Sequence, residues 1–231
     1  MRMRKSLFIT LVLLFLFYPS RVYAAPAYGT DTPDKGKISI GYQANLVFKH
    51  SLNDSNGRIR SYQHFVDLSY GVLDWFAFDG KLGVGDVRQS GGERPEINFG
   101  TGFAGGYGFR ILLWNKPAYK ARATLGLHHI SVHPTDENVG GNLYETFLDD
   151  WQLDLLASKK FGKFEPFVGG KASLFDQGYR VNHGDRKRMH PKYYGGVIAG
   201  CGFDIRDDLT LKVEGHFIDE DSLSAGLYYK Y

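Results

Sequence analysis

Cysteine is almost absent from this 231-residue chain: Cys201 is the only one. A single cysteine excludes an internal disulfide framework, and none stands near the start to carry a lipid anchor. Long apolar runs are missing beyond residue 25, so no transmembrane helix is expected there. An excess of one charge is missing as well. The formal net charge is +3, but Arg2, Arg4, Lys5 and Arg21 lie in the first 24 residues. Without those four, 24 basic residues face 25 acidic ones, and nothing in the charge balance points to nucleic acid.

The start of the chain has its own pattern. "MRMRK" is a basic opening, "LFITLVLLFLFY" (Leu7–Tyr18) is an apolar stretch shorter than a span, and Pro19 ends it. Val22 and Ala24 put small residues at the −3 and −1 positions of a cleavage site. Residues 1–24 are therefore expected to be a secretory signal peptide. Residues 25–36 would be a short periplasmic lead, and residues 37–231 one domain.

Glycine and aromatics fill the space that apolar runs leave, with 29 Gly, 15 Tyr and 17 Phe. They are arranged with period two, the mark of half-buried strands. In "KISIGYQANLVFK", Ile38, Ile40, Tyr42, Ala44, Leu46 and Phe48 share one face, and Ser39, Gly41, Gln43, Asn45 and Lys49 the other. Similar alternation recurs near 61–72, 76–86, 97–114, 119–131, 143–158, 164–175, 192–205, 209–218 and 222–231. In 97–114, Phe99 falls in the apolar set with Phe103, Tyr107 and Phe109.

Ten strands follow, with eight or twelve as alternatives. Connections near 73–75, 115–118, 159–163 and 206–208 are short, while those near 50–60, 87–97, 132–142 and 176–191 are long and polar. Only 219–221 breaks the alternation. The apolar face is rich in Phe, Tyr, Leu and Val, with Trp75, Trp114, Tyr119 and Trp151 placed near short turns. The expected fold is all-β: a closed antiparallel transmembrane barrel with short periplasmic turns and longer extracellular loops. Closure is required because every backbone polar group in lipid must be paired. The terminal strand "LSAGLYYKY", with alternate apolar residues and a final aromatic, resembles the C-terminal signal of bacterial outer-membrane proteins. The whole pattern resembles small OmpA-like or OmpX-like barrels. That resemblance implies the bacterial outer membrane, recognition by the barrel-assembly machinery, contact with outer-membrane lipid and lipopolysaccharide, and a monomer without cofactor or metal.

Facing inward under this reading are Asp67, Asp79, Lys81, Arg110, Lys120, Arg122, Asp154, Glu165, Lys171, Asp204, Lys212, Glu214 and His216. The signs nearly balance, so the expected lumen is plugged by an ionic network; a narrow porin-like channel is the alternative. "GTGFAG" (Gly100–Gly105) matches a dinucleotide-binding spacing but lies in an alternating strand with no helix after it, so that site is excluded.

Reactive side chains concentrate in "LHHISVHPTDENVGGNLYE" (Leu127–Glu145). Alternation places His129 and Ser131 on the lipid face. A hairpin symmetric about Asn138 would set Glu145 opposite Ser131. This set resembles the outer-membrane lipid A deacylases, which carry His-x-Ser on one strand and Glu on the next. The resemblance implies Ser131 as nucleophile, His129 as base and Glu145 as orienting acid, acting on an acyl ester. Two other readings stay open: a divalent-cation site at His128, His133, Asp136 and Glu137, and a plain loop turned by Pro134, Gly140 and Gly141. A second loop, 177–192, carries Arg180, Arg186, Lys187, Arg188 and Lys192, suited to lipopolysaccharide phosphates. The leading function is structural or surface interaction, with the hydrolase and the channel as alternatives. The signal peptide is checked by intact mass: the exported protein should begin at Ala25, and a mass that includes Met1–Ala24 would contradict it.

Overall fold

A computed structural model of the chain describes residues 28–53, 57–92 and 94–231. The expected signal peptide lies outside the described residues. Twelve strands are present: β1 (Ile38–Ser51), β2 (Arg58–Leu73), β3 (Phe76–Ser90), β4 (Ile97–Lys116), β5 (Ala121–His133), β6 (Glu137–Val139), β7 (Asn142–Lys159), β8 (Phe164–Val181), β9 (Lys187–Met189), β10 (Gly195–Arg206), β11 (Leu209–Phe217) and β12 (Glu220–Lys230). Ten form the wall. The three-residue strands β6 and β9 are hairpin extensions that pair with β7 and β8 above it. All pairs are antiparallel, and β12 returns to β1 with Tyr42 opposite Leu227 and Leu46 opposite Leu223. The wall therefore has no free edge, the condition a sheet must meet to stand in lipid.

Short turns join strands at one end, for instance β2 to β3 through Asp74-Trp75 and β10 to β11 through Asp207-Asp208. At the other end the connections are long, except between β11 and β12. In the half nearer the short turns, the outward face is apolar: Tyr42, Val66, Leu68, Phe78, Leu82, Leu153, Leu155 and Val168 are all exposed. The inward face there is ionic. Arg110 makes two bonds to Asp79, of 2.8 and 2.7 Å, Lys81 lies 3.7 Å from Asp67, and His128 lies 3.1 Å from Asp154. Lys171 bridges Asp219 at 2.9 Å and Glu220 at 2.5 Å. Glycines face the bulkiest of these groups: a Cβ on Gly108 would strike the His128 ring.

Toward the long loops the polarity reverses. Leu52, Ile59, Val87, Ile97, Phe99, Ile130, Val132, Leu148 and Phe175 form an apolar cluster inside the wall. Lys49, Arg58, Arg60, Arg88, Asn98 and Thr101 are exposed outside it. This upper storey has the polarity of a water-soluble barrel and the lower storey that of a membrane one. Two expected positions change for this reason. A register shift after Val47 turns Lys49 outward, and one between Gly102 and Phe99 turns Phe99 inward. A bulged residue reverses the face of everything beyond it. Two further expectations are corrected by position. Lys120 is exposed in the turn after β4 at φ 50°, and Trp151 stands at the reversal level, packed on His129 and Tyr107, well above the short turns.

Above the short β10–β12 sector, residues 187–192 close the wall. β9 takes the edge of β8, and Lys192 N–H bonds to the carbonyl of Ser51 at 2.8 Å. Below, residues 28–32 enter the lumen rather than standing outside as a periplasmic lead. Tyr28 is buried, stacks on His128 at 4.0 Å, and its carbonyl accepts from Arg110 and Lys212 at 3.1 and 2.9 Å. Thr30 bonds Ser158 and Glu165, and Asp31 meets Arg122 and Lys230 at 3.0 and 2.5 Å. Between the storeys, a cavity lined in part by Asn45, Gln63, Ile130 and Gln152 measures about 30 Å³, space for only a few water molecules.

Burial alone would raise the pKa of Asp31, but Lys212, Lys230 and Arg122 outweigh it and hold the carboxyl well below its ordinary 3.8. A depressed carboxylate adds stability at higher pH and loses it as the acid protonates. Asp31→Asn should therefore speed amide exchange across residues 28–32 by roughly tenfold at pH 7. The gap between variant and wild type should narrow below about pH 4. Equal exchange at pH 7 would show that Asp31 does not hold the segment.

Candidate functional site

The hairpin between β5 and β7 decides which reactive groups meet. Its tip is Gly140-Gly141, at φ +60° and +82°, with Val139 opposite Asn142. Two successive positive φ values suit a two-residue hairpin turn, and glycine adopts them without strain. The turn thus centres between Gly140 and Gly141, beyond Asn138. One extra residue lies on the β5 side between Val132 and Glu137, and the partners of β5 on β7 move by four positions. Ser131 stands opposite Asp149 and His129 opposite Trp151. Glu145 is carried upward, where it pairs with Arg180 and lies 3.1 Å from His183.

His129 and Ser131 point outward as expected, but their acid is Asp149. The Ser131 hydroxyl donates to Asp149 Oδ1 at 2.6 Å and lies 2.8 Å from His133 Nε2. His129 Nε2 lies 3.9 Å from the same Asp149 oxygen, too far for a hydrogen bond. Four side chains thus run along the outer wall in the order His129, Asp149, Ser131, His133. His133, one of the expected loop residues, is the histidine in reach of the serine. Its proximity was hidden because alternation fixes the face of a residue but not its rotamer. A serine and a histidine two apart on one strand face are neighbours as readily as the His129–Ser131 pair.

Aromatic rings set the frame. His129 stacks on Trp151 at 4.5 Å and meets Tyr107 at 5.2 Å. His133 stacks on Phe147 at 5.9 Å, and the Arg186 guanidinium lies 4.6 Å over the same ring. Gly178 gives Phe147 its seat, since a Cβ there would collide with the ring. A pocket of about 210 Å³ opens beside this platform, lined by His133, Glu145, Phe147, Tyr179, Arg180 and Arg186 among others.

Height follows from the reversal of polarity. On β7 the outward residues pass from Leu155, Leu153 and Trp151 to Asp149; on β5 they pass from Leu125 and Leu127 to His129, Ser131 and His133. Ser131 lies ten residues above the start of β5, about 25 Å along the barrel axis for a tilted strand. The apolar belt of membrane barrels is about 25 Å tall. The site sits at its upper margin, in reach of lipid and of water.

Of the loop residues, Arg180 and Arg186 reach this pocket, and Lys187 is exposed on β9. Arg188 pairs with Asp176 at 3.2 Å, and Lys192 lies over the Tyr193 ring at 5.6 Å. The suggested cation set is divided: His128 points into the lumen and His133 outward. Among the described residues no group of three or more His, Cys, Asp or Glu is placed to hold a metal ion.

Comparison with known proteins finds no matching family model and no matching curated sequence. Solved structures do match. The outer-membrane protease OmpT of Escherichia coli aligns over 88% of this chain and 100% of its own, at 11% identity and TM-score 0.50. An outer-membrane channel of Pseudomonas putida F1 aligns over 90% and 98% at 11% identity and TM-score 0.43. The transport unit of the autotransporter AIDA-I of E. coli covers 97% of each chain at 13% identity and TM-score 0.41. The chain has the fold of bacterial outer-membrane β-barrels. At these identities the likeness concerns fold alone.

The turn is testable by substitution. Gly141→Val forces a β-branched residue to a positive φ and should cost about 1–2 kcal/mol in denaturant unfolding from micelles. Gly140→Asn, at a φ that asparagine tolerates, should cost less. Equal losses would contradict the assigned turn.

Proposed function

We propose that this chain is an outer-membrane barrel with a closed lumen whose outer face hydrolyses acyl esters of outer-leaflet lipid. The observation that carries this reading is the Ser131 hydroxyl held between His133 and Asp149 at the upper margin of the apolar belt. An ester in the acyl region of a glycolipid lies at that level. With its proton turned from Asp149 Oδ1 to His133 Nε2, Ser131 Oγ attacks the carbonyl carbon as the proton passes to that nitrogen, the only histidine nitrogen that lies within hydrogen-bond reach of Oγ among the described residues. His133 returns the proton to the leaving alcohol oxygen, and the acyl group stays on Ser131. Water, deprotonated by His133, then releases the fatty acid and restores the hydroxyl.

Asp149 orients the serine and offers negative charge to the imidazolium as it forms. In this arrangement the acid bonds the nucleophile rather than the base, which departs from the usual hydrolytic triad. Arg186, fixed on Phe147 beside His133, puts positive charge next to the reacting centre. Arg180 and Lys187 extend that charge toward head-group phosphates. The closed lumen supports a role on the wall rather than passage through it: residues 28–32 fill the lower storey and the apolar cluster the upper.

A second reading, surface binding without chemistry, rests on the exposed bases of residues 177–192. Lipid mass spectrometry separates the two in a Gram-negative host making wild type, Ser131→Ala, His133→Ala or Glu145→Gln. The hydrolase reading expects deacylated lipid with wild type and Glu145→Gln, none with Ser131→Ala, and a fall of roughly 10²–10⁴-fold with His133→Ala. Identical acylation in all four strains would leave surface binding as the reading.

A further inference from the structure

Arg60 and Arg88 stand directly opposite one another on β2 and β3, and both are exposed. Like charges facing across a sheet destabilise it. No carboxylate of the described residues makes an ion pair with either. Arg88 Nε donates to Asn98 Oδ1, and the nearby Asp86 spends one oxygen on the Tyr62 backbone N–H at 2.6 Å. The ladder opens at this point. No cross-strand pair forms between Arg60–Arg88 and Gln63–Gly85, and the gap holds a pocket of about 130 Å³. Arg60, Ser61, Tyr62, Arg88 and Asn98 line it, together with Asp86.

Its level is the second observation. On β2 the outward residues pass from Val66 and Tyr62 to Arg60, and on β3 from Leu82 and Val84 to Asp86 and Arg88. The two guanidinium groups therefore stand just above the apolar belt, where phosphates of lipid head groups lie. Arginine presents its N–H donors in a planar fork that fits two phosphate oxygens, and a dianion between the pair turns repulsion into attraction. The exposed Asn98 side-chain amide adds a neutral polar group beside it.

We infer that Arg60 and Arg88 form a clamp for a phosphate monoester on an outer-leaflet glycolipid head group. The clamp lies on β2 and β3, away from the β5–β7 wall, and stands apart from the chemistry proposed at Ser131.

The test uses the full chain in phosphate-free detergent micelles, with a bisphosphorylated glycolipid and the same lipid after phosphatase treatment as probes. Retention is read by native mass spectrometry. Wild type should hold the phosphorylated lipid about tenfold better than R60Q/R88Q, with R60K/R88K between them. The dephosphorylated lipid should show no such difference. Equal retention by wild type and R60Q/R88Q would overturn the clamp. Uptake of inorganic phosphate by wild type with no preference for the phosphorylated lipid would assign the pair to free anion and overturn the lipid assignment. R60Q alone relieves the repulsion and should raise the melting temperature without lipid; a lowered one would mark Arg60 as structural support and contradict the proposal.

Discussion

The reversal of polarity along each strand is the constraint on which the other features depend. A wall in lipid must turn apolar groups outward, and a wall in water must turn them inward. The same strands meet both demands, one above the other. Below the reversal, Leu68, Leu82, Leu153 and Val168 face out and the ionic network faces in. Above it, Phe99, Ile59 and Leu148 face in and Arg60, Arg88 and Asn98 face out. Bulges in β1 and β4 let two strands change face without leaving the ladder. The margin between storeys fixes where membrane ends, and with it the depth of Ser131 and Asp149.

The lower lumen shows what a charged interior requires. Buried ions are costly unless each finds a partner, and breaking one pair leaves the other charge exposed to the low dielectric. Arg110 has Asp79, and Lys171 has Asp219 and Glu220. Lys212, Arg122 and Lys230 draw on the chain's own leading segment, through the Tyr28 carbonyl and the Asp31 carboxylate. Residues 28–32 complete the network as a bound peptide would. Filling of the lumen, in turn, leaves the outer wall as the place for the proposed chemistry.

Much of the fold was legible because period two and loop length are properties of sequence. The ten wall strands fall close to the expected segments, and the inward charges at Asp67, Asp79, Lys81, Arg110 and Asp154 lie as alternation implies. Alternation failed where a residue is inserted: Lys49 and Phe99 lie past bulges that no sequence period announces. It also cannot show that a segment outside the strands folds back, as Tyr28 does. At the site, the faces of His129 and Ser131 were readable, while the acid was not. A later turn centre exchanged Glu145 for Asp149: Gly140-Gly141 was the signal for the turn, but the extra residue between Val132 and Glu137, which selects Asp149 over Asp150, has no sequence signal. The partnership of Ser131 with His133 depends on side-chain rotamers, which the sequence does not carry.

Depth is the central claim and can be measured directly. With Cys201 replaced by serine, single cysteines at positions 127, 131, 149, 153, 60 and 88 carry a nitroxide label in the bilayer-reconstituted protein. Accessibility to oxygen, which partitions into lipid, is compared with accessibility to a water-soluble nickel complex. The account predicts oxygen-dominated labels at 127 and 153, nickel-dominated labels at 60 and 88, and a crossover at 131 and 149. Labels at 131 and 149 as lipid-buried as the one at 153 would contradict it, because the site would then lie below the margin where the strands reverse their polarity.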